Sequence, residues 1–288
     1  MRRTLALFLL AAVAVAVAGC GRRSPAEPGA SDAVAAVYPL AFVLDRVAGE
    51  DVVVTDLTPA GVEPHDVELT PKQVVALAEA RLTVLIGGGF QPSVEDALAS
   101  TDGTTLDVLD PLAPDLIEGD PHIWLDPRLL ASAGDAVAEF LADVGLGSLD
   151  ELTDNAAELR AELEELDQSY SSTLQDCERR ELVTAHDAFA YLARRYELEP
   201  IAIAGVDPAA EPSAARLGEI ARLARDRGVT TIFTESLVSP RVAETVALEA
   251  GVETAVLDPI ETQPADGDYF TAMERNLDAL AEALGCRP

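Results

Sequence analysis

Two stretches of this chain alternate short apolar segments of β type with helical segments, and this alternation restricts the fold more than any other feature. It runs through residues 31–147 and again through residues 178–288. Alternating strands and helices are typical of a parallel sheet flanked by helices, because each parallel crossover needs a helix-length connection. The pattern therefore predicts two α/β lobes. The expected strands are 33–37, 51–57, 82–86, 104–109, 181–185, 200–204, 230–234 and 253–257, and the expected helices are 40–48, 71–80, 93–100, 187–196, 213–227, 240–250 and 269–284.

Residues 148–177, between the two stretches, follow a different pattern. Apolar side chains recur there at spacings of three and four, which places them on one face of a helix. A coiled-coil dimer would give a similar stripe, but the run is short for one and lies between two sheet-forming segments. We therefore expect a single long helix that connects the lobes. Its apolar face consists of Leu152, Ala156, Leu159, Leu163, Leu166, Tyr170 and Leu174.

The first 30 residues have the features of an export signal. Arg2 and Arg3 precede an apolar run over residues 5–18, which has the length of a signal-peptide core and is short for a membrane-spanning helix. The run ends in Val-Ala-Gly followed by Cys20, which resembles a bacterial lipobox. We expect residues 1–19 to be a lipoprotein signal peptide, Cys20 to carry lipid, and residues 20–30 to form a flexible tether. The alternative is an ordinary signal peptide with an incidental cysteine.

The other two cysteines, Cys177 and Cys286, favour one disulfide if the chain is exported, because exported proteins fold in an oxidising compartment. Two separate free thiols are the alternative. Neither cysteine has a neighbouring Cys or His at the spacing of metal ligands.

The charge of the chain excludes one class of partner. Acidic residues number 51 against 20 basic ones, giving a net charge of −31. Nucleic acid is therefore not an expected partner, because phosphate binding needs clustered Lys and Arg. The same charge favours accumulation of cations near the surface.

The chain has only three histidines, and each follows a predicted strand. His65 follows the second, His122 the fourth and His186 the fifth, while Asp258 directly follows the last. Ligands of parallel α/β sheets bind at the carboxyl ends of strands, so the two candidates from each lobe are expected to meet in the cleft between lobes. Three imidazoles and one carboxylate suit a divalent cation such as zinc.

Nearby carboxylates would support such a site. Asp66, Asp120 and Asp187 are candidates to accept the second ring N–H of a histidine. The alternatives are less specific: a histidine in a loop is often only a polar surface residue, and an Asp before Pro, such as Asp258 before Pro259, often only begins a turn.

Six segments carry a resemblance to a known family, in matching order over nearly the whole mature chain. They are Pro64-His65-Asp66, Asp120-Pro121-His122-Ile123-Trp124-Leu125-Asp126-Pro127, His186-Asp187-Ala188-Phe189, Glu211-Pro212-Ser213, Phe233-Thr234-Glu235 and Leu257-Asp258-Pro259. In these segments the chain resembles the substrate-binding lipoproteins of bacterial zinc and manganese ABC transporters, the ZnuA-like or TroA-like family.

The resemblance implies two α/β lobes joined by one long helix, with a metal site in the interlobe cleft. It places the three histidines at the family's histidine ligands and Asp258 at its carboxylate ligand. The third position is typically Glu in manganese-specific members, so His186 favours zinc over manganese or iron(II). Glu235 matches a family position near the cleft. Two features depart from many zinc receptors: residues 110–120 contain no histidine, and Pro64 rather than Glu precedes the first histidine.

The implied function is capture of zinc outside the cytoplasm and delivery to a membrane permease with its ATPase subunit. We expect a monomer that makes and breaks no bonds, is attached to the membrane only by lipid, and lies on the outer face of the cell membrane or in the periplasm. The alternatives are a manganese or iron(II) receptor, a metallohydrolase with Glu235 or Asp66 as general base, and a surface adhesin.

Overall fold

The computed structural model describes residues 32–287. The predicted signal peptide (residues 1–19), the predicted lipidation at Cys20 and the predicted tether (residues 20–30) lie outside this range and stay predictions. Within residues 32–287, no helix combines the length and the apolar character needed to cross a bilayer.

The first lobe is built on a sheet of four parallel strands in the spatial order β2-β1-β3-β4. The central strand β1 is completely buried, as expected of a strand covered by helices on both faces. The strands are β1 (Ala33–Ala35), β2 (Val54–Asp56), β3 (Leu82–Leu85) and β4 (Thr104–Asp107), and the helices are α1 (Tyr38–Ala48), α2 (Pro71–Glu79), α3 (Pro92–Leu98), α4 (Leu109–Leu112) and α5 (Pro127–Asp143).

A single long helix, α6 (Leu149–Leu174), follows the first lobe. Ser148 caps it by accepting the Glu151 N–H, and all seven apolar residues predicted for its inner face are buried. Asn155, near its start, donates to the Val47 carbonyl of α1 at 2.9 Å. Tyr170, near its end, donates to the Met273 carbonyl of the second lobe at 2.6 Å. The helix is thus fastened to both lobes.

The second lobe repeats the topology of the first. Its four parallel strands have the order β6-β5-β7-β8, so the first strand along the chain again lies inside the sheet. The strands are β5 (Glu181–Thr184), β6 (Glu199–Ala202), β7 (Thr231–Thr234) and β8 (Glu253–Val256), and the helices are α7 (Ala190–Arg195), α8 (Ala214–Arg227), α9 (Arg241–Ala250) and α10 (Tyr269–Leu284).

This architecture confirms the predicted fold class of two parallel α/β lobes joined by a long helix. The predicted strands are longer than the observed ones, most of all 51–57, of which only Val54–Asp56 is paired. Helix α5 was not predicted, although Asp126 caps it and Pro127 occupies its first turn. The predicted strand 104–109 ends at Asp107, and α4 begins at Leu109.

Cys177 and Cys286 are joined by a disulfide. The bond connects the segment just after α6 to the segment just after α10. It therefore ties the end of the connecting helix to the end of the last helix.

Candidate metal centre

The three histidines converge between the lobes. His65 lies in a short 3-10 turn, Pro64–Asp66, that follows β2, and His186 lies just after β5. His122 follows β4 only after α4 and a further loop, so it is less directly placed by its strand than the sequence indicated. The ring centroids are 5.7 Å (His65 to His122), 6.1 Å (His65 to His186) and 5.4 Å (His122 to His186) apart.

The carboxylate that completes this group belongs to Glu261. Its Oε1 lies 3.7 Å from Nε2 of His65, 3.1 Å from Nε2 of His122 and 3.6 Å from Nε2 of His186. One ligand atom from each of these four residues lies within 4.8 Å of all the others. The first lobe supplies two of the four side chains and the second lobe supplies the other two.

The structure corrects the prediction that Asp258 is the fourth member. The Asp258 carboxylate accepts the Ile260 N–H at 2.8 Å and the Ser236 hydroxyl at 3.2 Å. It therefore begins the turn that Asp before Pro commonly forms. Glu261 follows three residues later, and the turn directs its side chain into the cleft. The motif Leu-Asp-Pro does not indicate Glu261, although Glu261 is a carboxylate close to the end of the same strand, β8.

Two of the histidines are oriented by carboxylates on their other ring nitrogen. The Nδ1–H of His122 donates to Asp120 Oδ1 at 2.7 Å, and the Nδ1–H of His186 donates to Glu235 Oε2 at 2.5 Å. The backbone N–H of His186 also donates to Glu235 Oε1 at 3.1 Å. These bonds fix the tautomer and leave both Nε2 atoms facing Glu261.

Two other carboxylates suggested by the sequence do not have this role. Asp66 is exposed, and Asp187 is bonded to Gly205 through its backbone N–H. Among residues 32–287, neither carboxylate forms a hydrogen bond with a histidine ring.

His65 is held differently. Its ring meets the edge of Phe90 at a centroid distance of 4.7 Å, and its backbone N–H donates to Glu63 Oε1 at 3.3 Å. The His65 side chain is 9% exposed, whereas those of His122 and His186 are 0% and 1% exposed. A cavity of about 350 Å³ lies beside His65, lined in part by Glu118 and Asp207. Solvent therefore reaches the group from the His65 side.

The electrostatics of the group are those of a buried anion facing imidazoles. Burial acts to lower the pKa of His122, but hydrogen bonds to Asp120 and Glu261 outweigh it and raise that pKa. Burial likewise acts to lower the pKa of His186, but the carboxylates of Glu235 and Glu261 outweigh it and raise that pKa to about 10. Burial acts to raise the pKa of Glu261, but the three histidines hold it well below its ordinary value. The Glu261 carboxylate thus supplies negative charge at the point where the three Nε2 atoms converge, as a site for a divalent cation requires.

The residues fit a zinc ion. Nε2 of His65 and Nε2 of His186 are buried without a hydrogen-bond partner, which is rare for buried polar atoms. Zinc binds His nitrogen at about 2.0–2.1 Å, so tetrahedral ligand atoms lie about 3.4 Å apart. The distances of 3.1–3.7 Å from Glu261 Oε1 to the three nitrogens lie on both sides of that value.

The fold and site define a two-lobed metal-binding protein, and comparison with known proteins assigns its family. The chain belongs to the ZnuA family, described as zinc-uptake complex component A, periplasmic, whose model matches residues 33–283. The resemblance inferred from the sequence is thus confirmed.

Relatives of known name agree with this family. The high-affinity zinc uptake system protein ZnuA of Bacillus subtilis is 31% identical over 312 aligned positions, which cover 96% of this chain and 97% of that protein. The zinc-binding lipoprotein AdcA of Streptococcus pneumoniae is 29% identical over 97% of this chain, and the match spans only 61% of AdcA.

Solved structures show the same fold. A crystal structure of ZnuA has a TM-score of 0.79 at 31% identity, covering 88% of this chain and 99% of that one. The laminin-binding protein Lmb of Streptococcus agalactiae, described as a bifunctional protein with adhesin and metal transporting activity, has a TM-score of 0.82 at 27% identity with the same coverage.

Proposed function

We propose that this protein captures Zn²⁺ outside the cytoplasm and delivers it to the permease of an ABC transporter. The observation that carries this proposal is the group formed by His65, His122, His186 and Glu261, whose ligand atoms converge between two lobes. Relatives named for zinc uptake and zinc binding support the choice of substrate.

Zinc is the cation that this donor set favours. Three imidazole nitrogens and one carboxylate oxygen suit a borderline cation in tetrahedral geometry, whereas manganese prefers oxygen ligands. Raw affinity at such a site also rises from manganese through iron to zinc. We therefore assign manganese and iron(II) as weaker competitors.

We propose binding and release rather than catalysis. A catalytic zinc keeps one coordination position open for water, and four protein ligands fill a tetrahedral shell. Glu235, the general base that a hydrolase would need, is bonded to His186 through both of its carboxylate oxygens. Asp66, the other candidate base, is exposed and makes no hydrogen bond to a histidine ring of the described chain.

The proposed location and partners of the protein rest on the sequence and on the named relatives. The family description is periplasmic and one relative is named a lipoprotein, which supports an exported chain anchored through lipid at Cys20. The proposed partners are the permease and its ATPase subunit, with the protein acting as a monomer.

The test is a metal competition with a paired set of variants. The purified protein, stripped of metal, is equilibrated with a limiting equimolar mixture of Zn²⁺, Mn²⁺ and Fe²⁺ without oxygen, and bound metal is measured by elemental analysis. We expect about one zinc per chain, and its loss in His122→Ala. Glu261→Ala should weaken zinc binding at least ten-fold, whereas Asp258→Asn, which keeps the oxygen that accepts the Ile260 N–H, should change it less than three-fold.

The outcomes separate the alternatives. A preference for manganese would overturn the assigned substrate. The reverse ranking of Glu261→Ala and Asp258→Asn would restore Asp258 as the ligand. A folded protein that binds no metal would overturn the proposed function.

A second candidate function is adhesion, because two structural neighbours are named laminin-binding proteins. The test is binding to immobilised laminin by wild type and by the variant with all three histidines changed to alanine. Binding by both would support adhesion by a surface outside the cleft, and absence of binding by wild type would exclude laminin as a partner.

A further inference from the structure

The residue before Glu261 has an unusual backbone. Ile260 has a φ of 58°, in the left-handed region, and its side chain is completely buried. A β-branched residue rarely adopts this conformation, because its Cβ approaches the backbone too closely. Such strain persists only where the surrounding structure holds the residue in place.

Asn276 of α10 holds one side of this turn. Its Oδ1 accepts the Asp258 N–H at 2.9 Å, and its Nδ2 donates to the Asp258 carbonyl at 2.7 Å. The Asn276 side chain therefore uses both of its polar groups on one backbone residue, and Asn276 is only 2% exposed. The Asp258 carboxylate in turn accepts the Ile260 N–H at 2.8 Å.

The first lobe holds the other side of the turn. The indole Nε1 of Trp124 donates to the Pro259 carbonyl at 2.7 Å, and Trp124 is completely buried. Tyr269 of α10 donates to the Trp124 carbonyl at 2.5 Å. Trp124 lies two residues after His122. The segment that carries the candidate ligand His122 is therefore hydrogen-bonded to the turn that leads to the candidate ligand Glu261.

We propose that Asn276 and Trp124 are positioning residues for Glu261. Together they hold Ile260 in its left-handed conformation, and that conformation turns the next side chain towards the three Nε2 atoms. Without these bonds, Ile260 relaxes to an ordinary backbone conformation and the Glu261 carboxylate turns away from the cation. This inference rests on the proposed function, since it assigns a role at the same metal site.

The test uses Co²⁺ as a visible probe of coordination, together with zinc affinity measured by competition with a chelator. The variants are Asn276→Ala, which removes both hydrogen bonds to Asp258, and Trp124→Phe, which keeps an aromatic ring and removes the indole N–H. Glu261→Ala supplies the reference spectrum for a site without the carboxylate. Asn155→Ala is the matched control, because it removes an asparagine bond from α6 to the Val47 carbonyl in the first lobe.

We expect the Co²⁺ absorption spectrum of Asn276→Ala to shift towards that of Glu261→Ala, with zinc affinity at least ten-fold weaker than in wild type. Trp124→Phe should shift in the same direction. Asn155→Ala should lower the melting temperature while it keeps the wild-type spectrum and affinity.

The contrary results are distinct. If Asn276→Ala and Trp124→Phe lower the melting temperature but keep the wild-type spectrum and an affinity within two-fold, both residues are merely structural and the proposal is overturned. If wild type binds neither Co²⁺ nor Zn²⁺, the proposed function fails, and the positioning role fails with it.

Discussion

Asp56, at the end of β2, carries a carboxylate that folding removes from water. Burial raises its pKa to about 7; its hydrogen bond to the Thr58 N–H acts to lower the pKa, and the charge of Asp45 adds to the rise. Because the pKa in the folded state exceeds the unfolded value of 3.8, the folded protein binds the proton more tightly than the unfolded chain does. The resulting stabilisation is complete below pH 3.8 and is lost as the pH rises through about 7.

We therefore predict that Asp56→Asn stabilises the protein at pH 8 by about 1–3 kcal/mol, with little effect at pH 4. The asparagine oxygen can still accept the Thr58 N–H, so the change mainly removes the charge. Urea unfolding of wild type and variant at both pH values measures the difference. Asp51→Asn, at an exposed aspartate nearby, is the control, and an equal effect of Asp56→Asn at the two pH values would contradict the prediction.

Single residues also show how far the site could be predicted. The three histidines were identified because the chain has no others and each follows a strand. Glu261 was missed because a carboxylate is common in this acidic chain, and because its direction depends on the left-handed Ile260, which no sequence pattern indicates. Asp120 and Glu235 were singled out as residues near the site, but only the fold shows which ring nitrogen each one contacts.

The connecting helix α6 contains one buried charge. Asp167 is 3% exposed and lies among the apolar residues of the inner face. Its oxygens accept Arg128 Nε of α5 at 3.0 Å, and Nε and a terminal nitrogen of Arg195 in the second lobe, both at 2.7 Å. Burial acts to raise the pKa of Asp167, but Arg195 and Arg128 outweigh it and lower that pKa. The helix thus fastens the two lobes together through one carboxylate.

We predict that Asp167→Ala lowers the free energy of unfolding by about 2–4 kcal/mol, because it leaves the partly buried Arg195 without its anionic partner and removes several charge-assisted hydrogen bonds. Glu162→Ala on the same helix is the matched control. Glu162 pairs with Arg46 at 2.6 Å, but both side chains are partly exposed, so its loss should cost less than about 1 kcal/mol. Chemical denaturation compares the two, and equal losses would show that burial of Asp167 is unimportant.

The accuracy of the predicted elements follows from how local their signals are. Helix α10 was predicted with its observed bounds, since Asp268 caps its start and Gly285 ends it in the left-handed conformation. Strand ends were less accurate, because the paired length of a strand depends on its neighbours in the sheet. Helix α5 was missed although Asp126 and Pro127 are ordinary start signals, because no strand follows it: it lies between the last predicted strand of the first lobe and the connecting helix.

For the whole molecule, the disulfide is the covalent link that closes the second lobe. It joins residues 109 positions apart, and the chain-entropy model gives a stabilisation on the order of 4–5 kcal/mol for a loop of this length. We predict that the double variant Cys177→Ala, Cys286→Ala loses stability of this order in urea unfolding. Reductant should lower the stability of wild type and leave the double variant unchanged. Equal stability of the two proteins without reductant would contradict this prediction.

The division of the candidate ligands between the lobes has a mechanical consequence. Because His65 and His122 belong to one lobe and His186 and Glu261 to the other, a cation held by all four adds its binding free energy to the association of the lobes. Linkage is reciprocal. A partner that favours separated lobes therefore weakens cation binding by the same free energy by which the cation weakens binding of that partner. A partner that separates the lobes can therefore release the cation through surfaces far from it, with no competing ligand of its own.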